Sequence, residues 1–111
     1  MARVDEYRTR VRELLQRYNN YKDDPEVETQ LVFDAEHDHY QLLHAGWRNE
    51  EHRIYGCVIH IDIKNDKIWI QYDGTDFDVA NELVAMGVPK KDIVLAFHPP
   101  YKRPYTEFGV N

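Results

Sequence analysis

The run Tyr55-Gly56-Cys57-Val58-Ile59-His60-Ile61-Asp62-Ile63-Lys64-Asn65-Asp66-Lys67-Ile68-Trp69-Ile70-Gln71-Tyr72-Asp73 alternates apolar and polar residues with a period of two. Tyr55, Cys57, Ile59, Ile61 and Ile63 take one parity, and Gly56, Val58, His60, Asp62 and Lys64 take the other. Beyond Asn65-Asp66, Ile68, Ile70 and Tyr72 alternate with Trp69, Gln71 and Asp73. Successive side chains of a strand point to opposite faces, so this pattern predicts two strands buried on one side. Asn-Asp suits a two-residue hairpin turn, in which both central residues take positive φ. That turn pairs Ile63 with Ile68, Ile61 with Ile70, and Ile59 with Tyr72. A slip of one residue would turn every isoleucine to water, which fixes the register. On the outer face His60 then lies opposite Gln71, Asp62 opposite Trp69, and Val58 opposite Asp73.

Working outward, residues 28–36 predict a strand with Leu31 and Phe33 on one side, and His37-Asp38 predicts a turn. Tyr40 to Trp47 returns as a second strand, and Asn49-Glu50-Glu51 makes the next turn. Further upstream, Val4, Tyr7, Val11, Leu14, Leu15 and Tyr18 share one face at helical spacing. Asn19-Asn20 and then Asp23-Asp24-Pro25 end that helix. Downstream, Thr75 is the expected N-cap of a second helix, with Asp78 three residues on. Phe77, Ala80, Leu83 and Val84 form its apolar side, and Gly87 followed by Pro89 closes it. The run Ile93-Val94-Leu95-Ala96-Phe97 predicts a strand buried on both faces, stopped by His98-Pro99-Pro100. The tail from Tyr101 to Asn111 is too aromatic for a disordered segment and should dock on this domain or on a neighbour. The expected fold is a single α+β domain over residues 1–111. It has an N-terminal helix, a four-stranded antiparallel meander, a second helix and a fifth strand joining a mixed sheet.

The 111 residues are 42% hydrophobic, enough for one core. No apolar run reaches the roughly 20 residues of a bilayer span. Residues 1–6 lack the apolar stretch of a signal peptide, so the expected location is cytoplasmic. Cys57 is the single cysteine, expected as a small core residue, and it leaves no internal disulfide or Cys-rich zinc site. The formal net charge is -6, unevenly spread. Residues 1–22 hold six Lys/Arg against three Asp/Glu, whereas residues 23–52 hold one Arg against nine acids. Phosphate backbones are held mainly by Lys and Arg, so strong nucleic-acid binding by the chain alone is not expected. Arg3, Arg10 and Arg17 form a basic column on the first helix. The favoured reading is a solvated face, with Glu6–Arg10 and Glu13–Arg17 as ion pairs four residues apart; the alternative is a phosphate grip.

The outer face of the central hairpin offers His60, Asp62 and Asp73, which could bind a metal or move a proton. A solvated or partner-covered face is favoured there, because antiparallel sheets commonly wet one side. Asp62-Ile63-Lys64 also fits half of a nuclease signature, but hydrolysis needs several converging carboxylates. Asp34, Glu36, His37, Asp38 and His39 form a second cluster, read as a polar hairpin tip. No nucleophile elbow, glycine-rich phosphate loop or HExxH motif is present, so no catalytic residue, cofactor or metal is expected. Eight Tyr and two Trp are the compositional excess. Trp47, Trp69, His98 and Tyr101 are candidate partner-binding residues, since aromatics anchor interfaces. Trp69 requires cover by the first helix, the tail or another subunit.

Several segments together resemble one family. They are Leu31-Val32-Phe33-Asp34; His39-Tyr40-Gln41-Leu42-Leu43 with Gly46-Trp47; His60 to Lys64; Lys67 to Gln71; Gly87 to Leu95; and Phe97-His98-Pro99-Pro100. Their order over nearly the whole chain resembles the XisI family, the fdxN element excision controlling factors of cyanobacteria. The resemblance implies a regulatory protein of DNA rearrangement in heterocyst differentiation, with the excision performed by a separate recombinase. It also implies a companion protein, XisH, as the partner, and it assigns no catalytic residue. A homodimer is compatible with the aromatic surface. The alternative from the residues alone is a metal-dependent hydrolase or nuclease on the polar face of the central hairpin.

Overall fold

The computed structural model describes residues 2–21 and 24–111. Its order is α1 (Ala2–Tyr21), β1 (Val27–Asp34), β2 (His39–Arg48), β3 (His52–Lys64), β4 (Lys67–Asp73), α2 (Val79–Ala85), a short 3-10 turn (Lys90–Asp92), β5 (Ile93–Leu95) and a second 3-10 segment (Pro100–Tyr105). The five strands lie side by side in chain order. β1 to β4 form an antiparallel meander, and β5 joins parallel to β4. α2 makes the crossover that a parallel neighbour demands. This is the expected α+β arrangement with a mixed sheet.

The central hairpin turns at Asn65 and Asp66, with φ of 55° and 62°. Ile63 pairs with Ile68, Asp62 with Trp69, and Ile61 with Ile70, as the alternation requires. Beyond that point the register departs from expectation. Gln71 is an extra residue, so His60 faces Tyr72, not Gln71, and Ile59 faces Asp73, not Tyr72. A second irregularity lies between β2 and β3, where Leu42 pairs with Ile59 but Leu43 pairs with Cys57, leaving Val58 unpaired. A β-bulge puts two residues opposite one and reverses the facing of everything beyond it. Tyr72 is therefore 51% exposed and Tyr55 69% exposed, where strict alternation made both core residues. Cys57 is likewise only half-buried on the outer face, and burial pushes its thiol pKa up.

The core lies between one face of the sheet and the two helices. Tyr7, Val11, Leu14, Leu15 and Tyr18 of α1 pack into one cluster with Tyr40, Leu42, Ile59, Ile61, Ile63, Ile68 and Ile70 of the sheet. Val79, Ala80 and Leu83 of α2 complete it. α1 runs through Asn19-Asn20, past the predicted end; Asp23 lies outside the described residues. α2 starts later than expected. Its N-cap is Asp78, whose carboxylate accepts from the Asn81 N–H, while Thr75 organises the preceding turn by accepting from the Phe77 N–H at 3.1 Å. Asp73 accepts from Thr75 and from the Val79 N–H at 3.1 Å, so it fastens β4 to α2. Gly87, at φ 102°, closes α2: its N–H reaches the Val84 carbonyl and the Val88 N–H reaches the Leu83 carbonyl. That pair of bonds is the Schellman arrangement, which needs a residue free to adopt positive φ.

Two polar clamps fix α1. The Tyr7 hydroxyl donates to Asp92, a buried carboxylate just before β5, and burial with Asp92 pushes the Tyr7 phenol up to about 12. Arg8 donates twice to Asp38 in the β1–β2 turn, at 2.8 and 3.0 Å, and the Tyr40 hydroxyl donates to the same carboxylate at 2.9 Å. The Arg8 hydrogen bonds hold the Asp38 carboxyl below its ordinary value. A depressed pKa contributes stability above the unfolded value, near 3.9, and loses it as pH falls through the folded value. Asp38→Asn should therefore cost about 2 kcal/mol near pH 7, from charge-assisted bonds lost. Urea titrations at descending pH should show wild type and variant converging below about pH 4.

β5 is shorter than predicted. It stops at Leu95, and Phe97 turns out to solvent beside His98, their ring centroids 4.7 Å apart. The tail then returns along the open side of β5, where Gly109 bridges Val94 and its N–H donates to the Ile93 carbonyl at 2.8 Å. An edge strand is thus covered by the chain's own end. Among the described residues, no helix is long and apolar enough to cross a membrane.

Candidate functional site

The sheet face away from the helices carries the candidate groups. On it, Asp34, His39, Asp62 and Trp69 form one cross-strand row, and Val32, Gln41, His60 and Tyr72 form the next. His60 and Asp62 are two apart on β3 and share this face, and the β2–β3 register sets His39 directly opposite Asp62. Both imidazoles converge on one oxygen. Asp62 Oδ1 is 2.8 Å from His39 Nδ1 and 2.9 Å from His60 Nε2. Gln71, the bulged residue, donates from Nε2 to Asp62 Oδ2 at 3.2 Å. The hydrogen bond to Asp62 raises the His39 pKa above its ordinary value.

This is not the trio expected from alternation. The bulge at Gln71 takes Asp73 away from His60 and Asp62 and commits it to the Thr75 turn and the start of α2. His39 replaces it, having been assigned to the polar hairpin tip. In that tip, Asp34 accepts from the Glu36 and His37 N–H groups and from the His37 ring, whose hydrogen bond lowers the Asp34 pKa. The tip carboxylate is thus occupied in shaping its own turn.

Trp69 is covered from within the chain. It is 7% exposed, with Lys64 Nζ 4.2 Å from the ring centre and the Arg103 guanidinium at 5.6 Å. Its indole N–H donates to the Lys64 carbonyl. Arg103 is held in turn by the His98 carbonyl at 3.0 Å, so the tail lies across this edge of the outer face. Trp69 is therefore a docking point for the tail and not an exposed anchor. Tyr101 is well exposed, and with His98, Lys102, Tyr105 and Thr106 it lines a shallow groove of about 440 Å³.

Trp47 stands 51% exposed at the far end of β2. The guanidinium of Arg53, its cross-strand partner, lies 5.3 Å from the Trp47 ring centre and 5.5 Å from that of Tyr55. Arg53 and Tyr55 escaped the sequence reading, because Tyr55 has core parity unless Val58 bulges. A cross-strand Trp–Arg pair beside a tyrosine was the available signal.

The basic column of α1 is already engaged, with partners other than the predicted Glu6–Arg10 and Glu13–Arg17 pairs. Arg10 pairs with Glu13 at 3.1 Å, Arg17 with Glu82 of α2 at 3.1 Å, and Arg3 approaches Asp92 at 3.8 Å. The Arg10–Glu13 and Arg17–Glu82 pairs are exposed, and pairs of that kind contribute little stability.

The XisI protein family model matches residues 1–110. The chain belongs to the XisI family. A XisI-like protein from Anabaena variabilis ATCC 29413 has a solved structure that is 49% identical, with a TM-score of 0.91 over 97% of this chain and 99% of that one. The fdxN element excision controlling factor XisI from the same organism is 32% identical, with a TM-score of 0.82 over 98% of this chain and 99% of that one. No curated protein matches. XisI membership accounts for the helix, meander, helix and parallel strand. Of these two names, only that of the 32% identical neighbour describes control of excision, and neither assigns a role to a residue of the outer face.

Proposed function

We propose that this XisI-family chain is an accessory regulator of site-specific DNA excision that acts by binding a protein partner, and that it has no catalytic step of its own. The name of its 32% identical structural neighbour supports the excision role. One observation carries the mode of action: Trp47, Arg53 and Tyr55 stack as an exposed cluster on a rigid sheet. Trp, Tyr and Arg are the residues that dominate binding energy at interfaces. Trp47 lies within the acidic stretch of residues 23–52, and Arg53 and Tyr55 follow that stretch directly on β3. A partner with a basic contact surface would gain association rate and specificity from that charge. A XisH-like companion or the recombinase itself is the partner this reading names. Direct DNA binding by the chain alone is weak on the same reading, since Arg3, Arg10 and Arg17 already face carboxylates.

The test is co-expression with the genomic neighbour, followed by affinity purification and calorimetry of the separated partners. A complex should form. Trp47→Ala and Tyr55→Ala should each weaken it by about 2 kcal/mol, roughly 30-fold, with the fold intact. DNA nicking by the isolated chain would sink the proposal. So would tight DNA binding that falls steeply with salt and is lost with the three arginines.

A further inference from the structure

We propose that His39, His60 and Asp62 form a binding site for one divalent cation of the zinc type on the outer face of the sheet. The geometry is independent of the partner-binding reading. One ligand atom from each of His39, His60 and Asp62 lies within 4.8 Å of the other two. They come from adjacent strands paired in a fixed register, His39 opposite Asp62 and Gln41 opposite His60, and not from a loop tip. A site on strands is held more accurately than one on a loop. The two rings stand edge to face, at 82° with centroids 6.5 Å apart, so their nitrogens converge and their faces do not collide.

Two imidazole nitrogens aimed at one carboxylate oxygen leave a concentrated acceptor that either two protons or one cation can satisfy. The nitrogens lie 2.8 and 2.9 Å from Asp62 Oδ1. Bonds of about 2.0–2.1 Å in a tetrahedral site set ligand atoms roughly 3.3 Å apart. The two nitrogen–oxygen separations need to open by only about half an ångström, within the reach of small side-chain rotations. Gln71 holds the other oxygen, Oδ2, at 3.2 Å, so Asp62 presents Oδ1 to the imidazoles. Such outer contacts orient metal-binding carboxylates. The β4 bulge supplies this support, because it displaces Gln71 from the place opposite His60. His39 is largely exposed, which leaves the fourth position open to water or to a side chain from outside. Nitrogen donors favour zinc-like ions over magnesium, which prefers oxygen ligands in an octahedron. The other cluster, Asp34 with Glu36 and His37, differs on one point: its Asp34 oxygens are taken by its own turn.

The experiment is calorimetric titration of Zn²⁺ and of Mg²⁺ into the chelator-treated full chain, with circular dichroism confirming the fold of each variant. One Zn²⁺ per chain should bind, and Mg²⁺ should not compete for it. His39→Ala and His60→Ala should each weaken Zn²⁺ binding by at least about 100-fold, as expected when one of three ligands is lost. Gln71→Ala should weaken it by about 10-fold through the carboxylate it positions. His37→Ala should leave it unchanged. Co²⁺ in place of Zn²⁺ should give the visible absorption of a tetrahedral ion, lost in His39→Ala. Absence of stoichiometric Zn²⁺ binding would overturn the proposal, as would binding that survives both His39→Ala and His60→Ala or that is lost in His37→Ala.

Discussion

Ile61→Ala should lower the unfolding free energy by about 2–5 kcal/mol, the range for truncating a buried isoleucine. In a domain of this size that is a fall of about 10–20 °C in Tm. Ile61 is fully buried, and its cross-strand neighbours on the same face are Tyr40 and Ile70, themselves almost wholly buried. The α1 residues Leu14 and Leu15 belong to the same cluster. Removing three carbons from the middle of two packed layers leaves a cavity that neither the hydrogen-bonded sheet nor the clamped helix can collapse into. Tyr72→Ala is the matched control. Strict alternation makes Tyr72 a core residue equal to Ile61, but the bulge leaves it half exposed. Its truncation should cost less than about 1 kcal/mol, the usual outcome at a surface position. Urea denaturation of both variants checks the pair of values, and a Tyr72→Ala cost equal to that of Ile61→Ala would reject the bulged register.

Gly46→Ala should destabilise by about 3 kcal/mol, at the upper end of overpacking costs. A Cβ at this position would sit 2.2 Å from the Glu26 carbonyl oxygen and 2.9 Å from Val27 Cα. Both are backbone atoms, so no rotamer change relieves the contact and the start of β1 must move away from β2. That movement breaks the Trp47 N–H bond to the Glu26 carbonyl, at 3.3 Å, and opens the Val27–Gly46 pairing. Gly56→Ala provides the contrast. Nothing lies within 4 Å of a Cβ there, so a strand glycine is replaced at no steric cost. It should be neutral or stabilising by about 0.4–1 kcal/mol, through the unfolded state. Thermal melts of the two variants separate a glycine required by close approach from one that is not.

Elements governed by short-range rules were legible. The Asn65-Asp66 turn, the Ile61–Ile70 pairing, the apolar face of α1 and the Gly87 closure all follow from residues a few positions apart. The starts and ends of elements were less so. Thr75 and Asp78 are both good caps, and Asp73 decides between them by binding the Thr75 hydroxyl and the Val79 N–H. Ile93 to Phe97 is uniformly apolar, but β5 ends once the chain turns at Ala96, whose N–H reaches the Ile70 carbonyl at 2.9 Å.

The candidate site was half legible. His60 and Asp62 are two apart and had to share a face. His39 was not recoverable, because regular pairing from the turn at residues 49–51 would set it opposite Ile61; the unpaired Val58 moves it opposite Asp62. Alternation along one strand is a local property, written in the order of residues, and it determined the hairpin and the fold class. Which strand carries an extra residue is settled between strands, by how side chains pack on both faces at once. The tertiary structure alone therefore decided that Tyr55 and Tyr72 face outward, that Asp73 leaves the site, and that His39 enters it.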